Sequence, residues 1–310
     1  MGAVVEKVHK EFKLNNIEGI PIIYNPRSNI FKINSKISNK LKWNGFVKYI
    51  NEVLFVDDIV QFSPNKASEQ EKLAIWHRVL DRFNQEMSIP KTNVMCTGSS
   101  IEINDGMNIS VNGIELKAVD KFKYLGIIEK PDNSMNPEFN ARKKAMKYAF
   151  REYQMHVFSN KHLSITSRLN LYSVLVLSAM LYGCSLWRFR RNQMDKLESL
   201  HFCHLRYIIP GMSRNSSFKD LIVTAATKFK VYIMTIEAMV IKRKLRYAGH
   251  IERMGDDAIQ RIMLHGEINL GVRSAGRPLL GTALKLFGID SSMWSDYASD
   301  KKDGKILLIR

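Results

Sequence analysis

Short apolar runs separated by turn residues fill the first 130 positions, and apolar residues at helical spacing fill the rest. Residues 4–12 fit a short helix. Residues 19–26 read as a strand or extended loop between turns, and residues 29–42 are too polar to define an element. Residues 46–50 are expected to begin a strand system that continues through Glu52-Val53-Leu54-Phe55-Val56-Asp57-Asp58-Ile59-Val60-Gln61-Phe62. Its two apolar runs are β-branched and aromatic, which suits strands, and the two acids between them suit a tight hairpin tip. Residues 68–87 follow as a helix. Ser68 and Glu71 have capping-box spacing, and Leu73, Trp76, Leu80 and Phe83 make one face. Val94-Met95-Cys96 predicts a strand, residues 98–106 a polar loop, and residues 109–116 a hairpin turning at Asn112-Gly113. Residues 122–128 predict another strand.

Beyond residue 131 helices dominate. Asn136 and Pro137 open one that runs to about residue 158, with Ala141, Ala145, Tyr148 and Ala149 facing in and Arg142, Lys143, Lys144 and Lys147 facing out. Ser164 opens the next, through Leu169, Tyr172, Val176 and Met180. Asn192 and Asp195 cap a third, with Leu197, Leu200, Leu205 and Ile208 inward. Ser217 and Asp220 open a fourth. A fifth covers 231–250, a residual one 257–264, and residues 291–310 lack periodicity. The fold class is therefore α+β, divided as a poorly defined segment 1–43, a sheet-bearing part 44–130, a helical part 131–265 and an irregular basic tail 266–310.

Charge narrows the function. The 310 residues carry a net charge of +17. Residues 141–254 hold 21 Lys and Arg against 6 Asp and Glu, nearly the whole excess. A localised basic surface favours a polyanionic partner, nucleic acid before membrane. No apolar run spans a bilayer and no leader segment is evident, so a cytoplasmic or nuclear setting is expected rather than secretion. Cys96, Cys184 and Cys203 form no spaced framework and read as free thiols. His201-Phe202-Cys203-His204 offers zinc-like residue types without a Cys-x-x-Cys partner, so Cys203 reads as a core residue.

The chemistry-bearing candidates are Asp57 and Asp58. A rigidly held carboxylate pair suits Mg²⁺, which takes one or two protein carboxylates together with phosphate oxygens. The same pattern also describes an Asp-Asp turn on a surface hairpin. Lys91 is either a phosphate contact or an ordinary exposed amine.

Several segments together resemble the reverse transcriptases of non-LTR, LINE-type retrotransposons. Phe55-Val56-Asp57-Asp58 resembles the aromatic-x-Asp-Asp motif, with Val56 in place of alanine. Lys91-Thr92-Asn93-Val94-Met95 is similar to the Lys-Thr-x-x-Met strand, and Phe122-Lys123-Tyr124-Leu125-Gly126 to the primer-grip hairpin. Leu163-Ser164 with Leu171-Tyr172, then Leu181-Tyr182-Gly183, then Leu197-Glu198 with His201 and Leu205-Arg206 follow in family order. Arg246-Tyr247-Ala248-Gly249-His250-Ile251 with Arg253-Met254 resembles the Arg-Trp-x-Gly-His segment, and Arg273-Ser274-Ala275-Gly276-Arg277-Pro278 the Gly-Arg-Pro tail.

The resemblance implies a partial palm followed by a thumb-like helical lobe, and Mg²⁺-dependent, RNA-directed DNA synthesis from deoxynucleoside triphosphates. Asp57 and Asp58 would be the catalytic metal ligands. Phe122, Lys123, Tyr124, Leu125 and Gly126 would hold the primer end, with Lys91 near the incoming nucleotide. Arg142, Lys143, Lys147, Lys242, Arg243 and Arg246 would contact an RNA template or RNA–DNA duplex. Residues 1–50 depart from the family: neither an aromatic-x-Asp metal strand nor a Gly-x-x-Gln-Gly segment is present. The expectation is a chain truncated before the fingers and first palm motif, inactive alone, or a non-catalytic nucleic-acid-binding remnant.

Overall fold

The computed structural model describes residues 1–24, 46–97, 108–212, 215–268 and 298. The tail motif at 273–278, the polar loop at 98–106 and the segment 29–42 lie outside the described residues. Two compact units are formed, one by Met1–Phe122 with Gly249–Arg310 and the other by Lys123–Ala248. The described elements are helices and small, mostly antiparallel strand pairs, an α+β composition.

In the first unit, α1 (Gly2–Leu14) places Val4, Val8 and Phe12 on one face by i, i+4, i+8 spacing. That face packs on Ile75, Trp76, Val79 and Leu80 of α2 (Lys66–Arg82). Each such side chain contributes roughly 1.5–3 kcal/mol when fully buried. Leu54 and Ile59 pack against the same cluster. The first helix of the chain thus covers one face of α2. Strands β1 (Ile20–Tyr24) and β2 (Phe46–Ile50) pair antiparallel, Ile22 opposite Lys48, and β11 (Glu267–Ile268) adds to the other side of β1. β3 (Glu52–Phe55) and β4 (Asp58–Gln61) form a separate hairpin, so residues 46–50 do not belong to the strand system of the acidic tip.

The cap of α2 also differs from the sequence reading. Asn65, not Ser68, is the N-cap, and its side chain accepts from the Ser68 backbone N–H at 2.9 Å. Asn has the extended backbone and short acceptor that a cap needs, and Ser68 then falls within the first turn. The helix ends at Arg82, leaving Phe83 exposed. Farther on, β5 (Asn93–Val94) pairs parallel with β8 (Lys117–Ala118). β6 (Ser110–Val111) and β7 (Ile114–Glu115) turn through Asn112 and Gly113, both at positive φ, as the Asn-Gly pair requires.

The second unit begins with the hairpin of β9 (Phe122–Tyr124) and β10 (Ile127–Glu129), followed by helices. α3 (Asn136–Tyr153) carries Pro137 in its first turn and passes into a π-helical turn at Gln154–Phe158. Its buried face is Phe139, Met146 and Phe150, so Tyr148 points outward at 68 % exposure. The face is rotated from the alanine stripe because large side chains gain more by burial than alanines do. α4 (Ile165–Tyr172), capped by Ser164, continues through a π-helical turn into α5 (Ser178–Met180). α6 (Arg191–Ile208) starts ahead of Asn192. There the Gln193 side-chain carbonyl accepts from the Arg190 backbone N–H at 2.8 Å, satisfying a donor that the proposed Asn192 cap could not reach. α7 (Phe218–Phe229) has the Ser217–Asp220 capping box, and α8 (Ile236–Glu252) follows; α9 (Ile259–His265) belongs to the first unit. One core joins Phe139, Met146, Phe150, Leu169, Tyr172, Leu197 and Leu205.

Candidate functional site

The acidic tip is a two-residue loop. Phe55 and Asp58 are opposed across the hairpin, leaving Val56 and Asp57 as the loop. Val56 has φ +59 and is 76 % exposed. A β-branched residue in the left-handed region is strained by about 1–2 kcal/mol and persists only when its surroundings hold it there. Asp57 and Asp58 are both exposed and adjacent.

What holds the tip is a buried polar anchor at the base of β3. The Glu52 side chain is 2 % exposed. One oxygen meets His9 Nε2 of α1 at 2.7 Å, and the other accepts from Trp76 Nε1 of α2 at 2.9 Å. Lys72, fully buried on α2, donates from Nζ to the Phe62 carbonyl at 2.6 Å, just past β4. Burial pushes the Lys72 amine below its ordinary range, against the opposing pull of Glu69 and Glu52. Both hairpin strands are therefore tied to helices by charged groups. Sequence reading missed Glu52 and Lys72; the available signal was a lysine beside Leu73 and one turn before Trp76, on an otherwise apolar face.

A metal would be met at the tip by two carboxylates. Among the described residues no three or more His, Cys, Asp or Glu side chains gather as a metal group. Two carboxylates are the donor type that Mg²⁺ takes together with phosphate oxygens, and are fewer than a two-metal clamp uses. The zinc-like run is also resolved. His201 and His204 are buried against Tyr172, whereas Cys203 is exposed, not the core residue anticipated, because it lies on the opposite side of α6 from the histidines.

Lys91 is exposed at the end of a 3₁₀ turn, Ile89–Lys91. The second hairpin turns through Leu125 and Gly126, at φ +47 and +81. Gly126 is required twice over, by its φ and because a Cβ would lie 3.0 Å from the Tyr182 ring. Tyr182 donates its hydroxyl hydrogen to the Leu125 carbonyl at 2.7 Å. Arg142 donates to the Gly126 carbonyl at 2.6 Å, binds Glu138 at 2.6 Å, and stacks over the Tyr182 ring. Glu138 in turn accepts from the Ile128 backbone N–H at 2.9 Å. Two segments far apart in sequence, Tyr124-Leu125-Gly126 and Leu181-Tyr182-Gly183, thus form one packed unit. Phe122 and Tyr124 are half-buried, and Lys123 is exposed.

The basic residues divide by their contacts. Arg142 is 12 % exposed, and its guanidinium is committed to the hairpin. Arg243 donates to the Leu181 carbonyl at 3.0 Å, and Lys244 donates to the Trp187 carbonyl. Lys143 lies over the Phe139 ring and Lys242 is half-buried. Lys147 and Arg246 are exposed, and so are Lys144 and Arg151, which share the outer surface of α3 with Tyr148.

One curated relative is similar over much of this length. An uncharacterized transposon-derived protein of Caenorhabditis elegans, F52C9.6, is 26 % identical over 214 residues, covering 67 % of this chain and 73 % of that protein. The likeness points to a transposable-element origin. No protein-family profile and no solved structure matches the chain. No described helix is long and apolar enough to cross a membrane.

Proposed function

We propose that the chain derives from an RNA-directed DNA polymerase of the non-LTR retrotransposon type, and that it binds nucleic-acid backbone without polymerising on its own. One observation carries the reading: a strained Val56 at φ +59 presents two exposed carboxylates, Asp57 and Asp58, on a hairpin anchored from beneath. An ordinary surface turn would relax to Gly or Asn at that position. The transposon-derived relative supports the origin. Asp57 and Asp58 would meet Mg²⁺, and the Leu125-Gly126 hairpin would meet the primer end. The exposed cations Lys123, Lys144, Lys147, Arg151 and Arg246 would meet the phosphates of an RNA template or RNA–DNA duplex, neutralising charge without reading sequence. The expected inactivity rests on the sequence, since residues 1–50 hold no aromatic-x-Asp metal strand and Asp57 with Asp58 alone would leave much of the transition-state charge unbalanced.

Primer extension on an RNA template with Mg²⁺ tests both halves. The expected result is no extension above an Asp57→Asn control, together with duplex binding that weakens as salt rises. Asp57-dependent extension would overturn the claim of inactivity. Absence of salt-sensitive binding would overturn the binding role.

A further inference from the structure

The helical unit contains a cleft that none of the motifs touches. It measures about 310 Å³ and is lined by Arg190 and Lys196 together with the amides of Asn140 and Asn192. Asn136 and Gln193 also line it and are joined, Gln193 Nε2 donating to Asn136 Oδ1 at 2.9 Å. Gln193 is itself buried and fixed from its other end by the Arg190 backbone N–H. The Phe139 ring closes the apolar side.

Among the described residues no carboxylate lines this cleft. Neighbouring Arg191 is paired with Asp195 and Glu237, whereas Arg190 and Lys196 form no ion pair with any described residue. Two exposed cations therefore border one open cleft without a compensating acid among the described residues. The first turns of α3 and α6, each eighteen residues long, both border it, which adds to the positive potential but is not what carries the argument. A guanidinium fork and an ammonium suit phosphate oxygens. Amide side chains offer both donors and acceptors, as the edge of a base does. The volume lies at the lower end of small-molecule sites, about 300–1,000 Å³, and exceeds what a bare ion needs.

We propose that this cleft binds a nucleotide through its phosphate, either a free nucleoside monophosphate or the 5′-terminal nucleotide of a strand. The assignment is independent of the Asp57–Asp58 reading, since it uses neither acid nor any polymerase step.

The test is calorimetric titration of the full chain with adenosine monophosphate, adenosine and inorganic phosphate. Adenosine monophosphate should bind, inorganic phosphate should compete with it, and adenosine should not bind. The Arg190→Gln, Lys196→Gln double variant should weaken binding by about tenfold or more, and Lys228→Gln, on α7, should leave it unchanged. Asn140→Asp, at an exposed position, should weaken it as well by placing a carboxylate against the phosphate, which keeps the test available if the double variant misfolds. No binding by the unaltered chain, equal binding by adenosine, lack of competition by phosphate, or full retention in the double variant would each overturn the site. A 5′-phosphorylated dinucleotide that binds more tightly than adenosine monophosphate assigns a strand end, and the reverse order assigns a free nucleotide. Equal binding of the 5′-phosphorylated and 5′-hydroxyl dinucleotides would overturn it.

Discussion

The indole N–H of Trp76 donates to Glu52 Oε2 at 2.9 Å, while the other oxygen of Glu52 holds His9. This pair fixes the base of the acidic hairpin to α1 and α2. Removing a partner from such a contact strands the other in an apolar setting. Glu52→Ala should therefore destabilise the unit by about 2–4 kcal/mol, and Glu52→Gln by less, because the amide oxygen can still accept from Trp76. Urea unfolding followed by tryptophan fluorescence measures both. Unfolding of Glu52→Ala at the concentration of the unaltered chain would show that the anchor does not hold the hairpin.

Val56 yields a prediction of opposite sign. Its φ of +59 suits Asn far better than a β-branched residue. Val56→Asn should raise stability by about 1 kcal/mol while leaving Asp57 and Asp58 unchanged. A gain in the thermal midpoint would mean that the tip stores strain; a loss would mean that the valine side chain contributes packing that its exposure hides.

The Asn-Gly turn and two of the helix caps, Ser164 and Ser217, were legible in the sequence because they are local, whereas Ser68 and Asn192 were not the caps of α2 and α6. Asn112-Gly113 could adopt the two positive φ values of a tight hairpin turn, and Ser217 with Asp220 capped α7 where their spacing placed them. The inward face of α3 was misjudged because an alanine stripe and a stripe of Phe139, Met146 and Phe150 both have helical spacing, and only the partner helices decide between them. Glu52, Lys72 and Arg142 were out of reach for the same reason. Each is a charged residue whose burial depends on a carbonyl or side chain supplied from another segment. The cleft beside Arg190 is farther still from local signals, since its walls come from two separate helix starts.

The helical unit should be acid-labile. His201 and His204 lie in the core with Tyr172, and His204 stacks on Phe150 at 3.8 Å. Burial pulls both imidazoles down to about 4 from an ordinary value of 6.5, with His201 and Lys147 adding repulsion at His204. Between those values the unfolded chain binds protons that the folded chain refuses, so stability rises with pH. The unit should hold its full stability above pH about 6.5 and lose on the order of a few kcal/mol as pH falls toward 4. Denaturant melts across that range measure the slope. A His201→Gln, His204→Phe variant should flatten it, and an unchanged slope would place the titrating groups elsewhere.

Arg142 and Lys147 lie about 1.4 turns apart on α3, yet they should fail in different assays. Arg142 neutralises Glu138, a carboxylate with no solvent exposure, and pins the Gly126 carbonyl. Arg142→Ala leaves that carboxylate buried without its cation and should cost about 3–5 kcal/mol of stability. Lys147 is exposed and shows no ion pair with a described residue. Lys147→Gln should leave the unfolding transition where it is, weaken duplex binding, and lower the slope of log affinity against log salt by about 1. Lys144→Gln should behave as Lys147→Gln does. If the lysine variants shifted the melt and left the salt slope unchanged, the outer face of α3 would be a structural surface and the duplex would have to lie elsewhere.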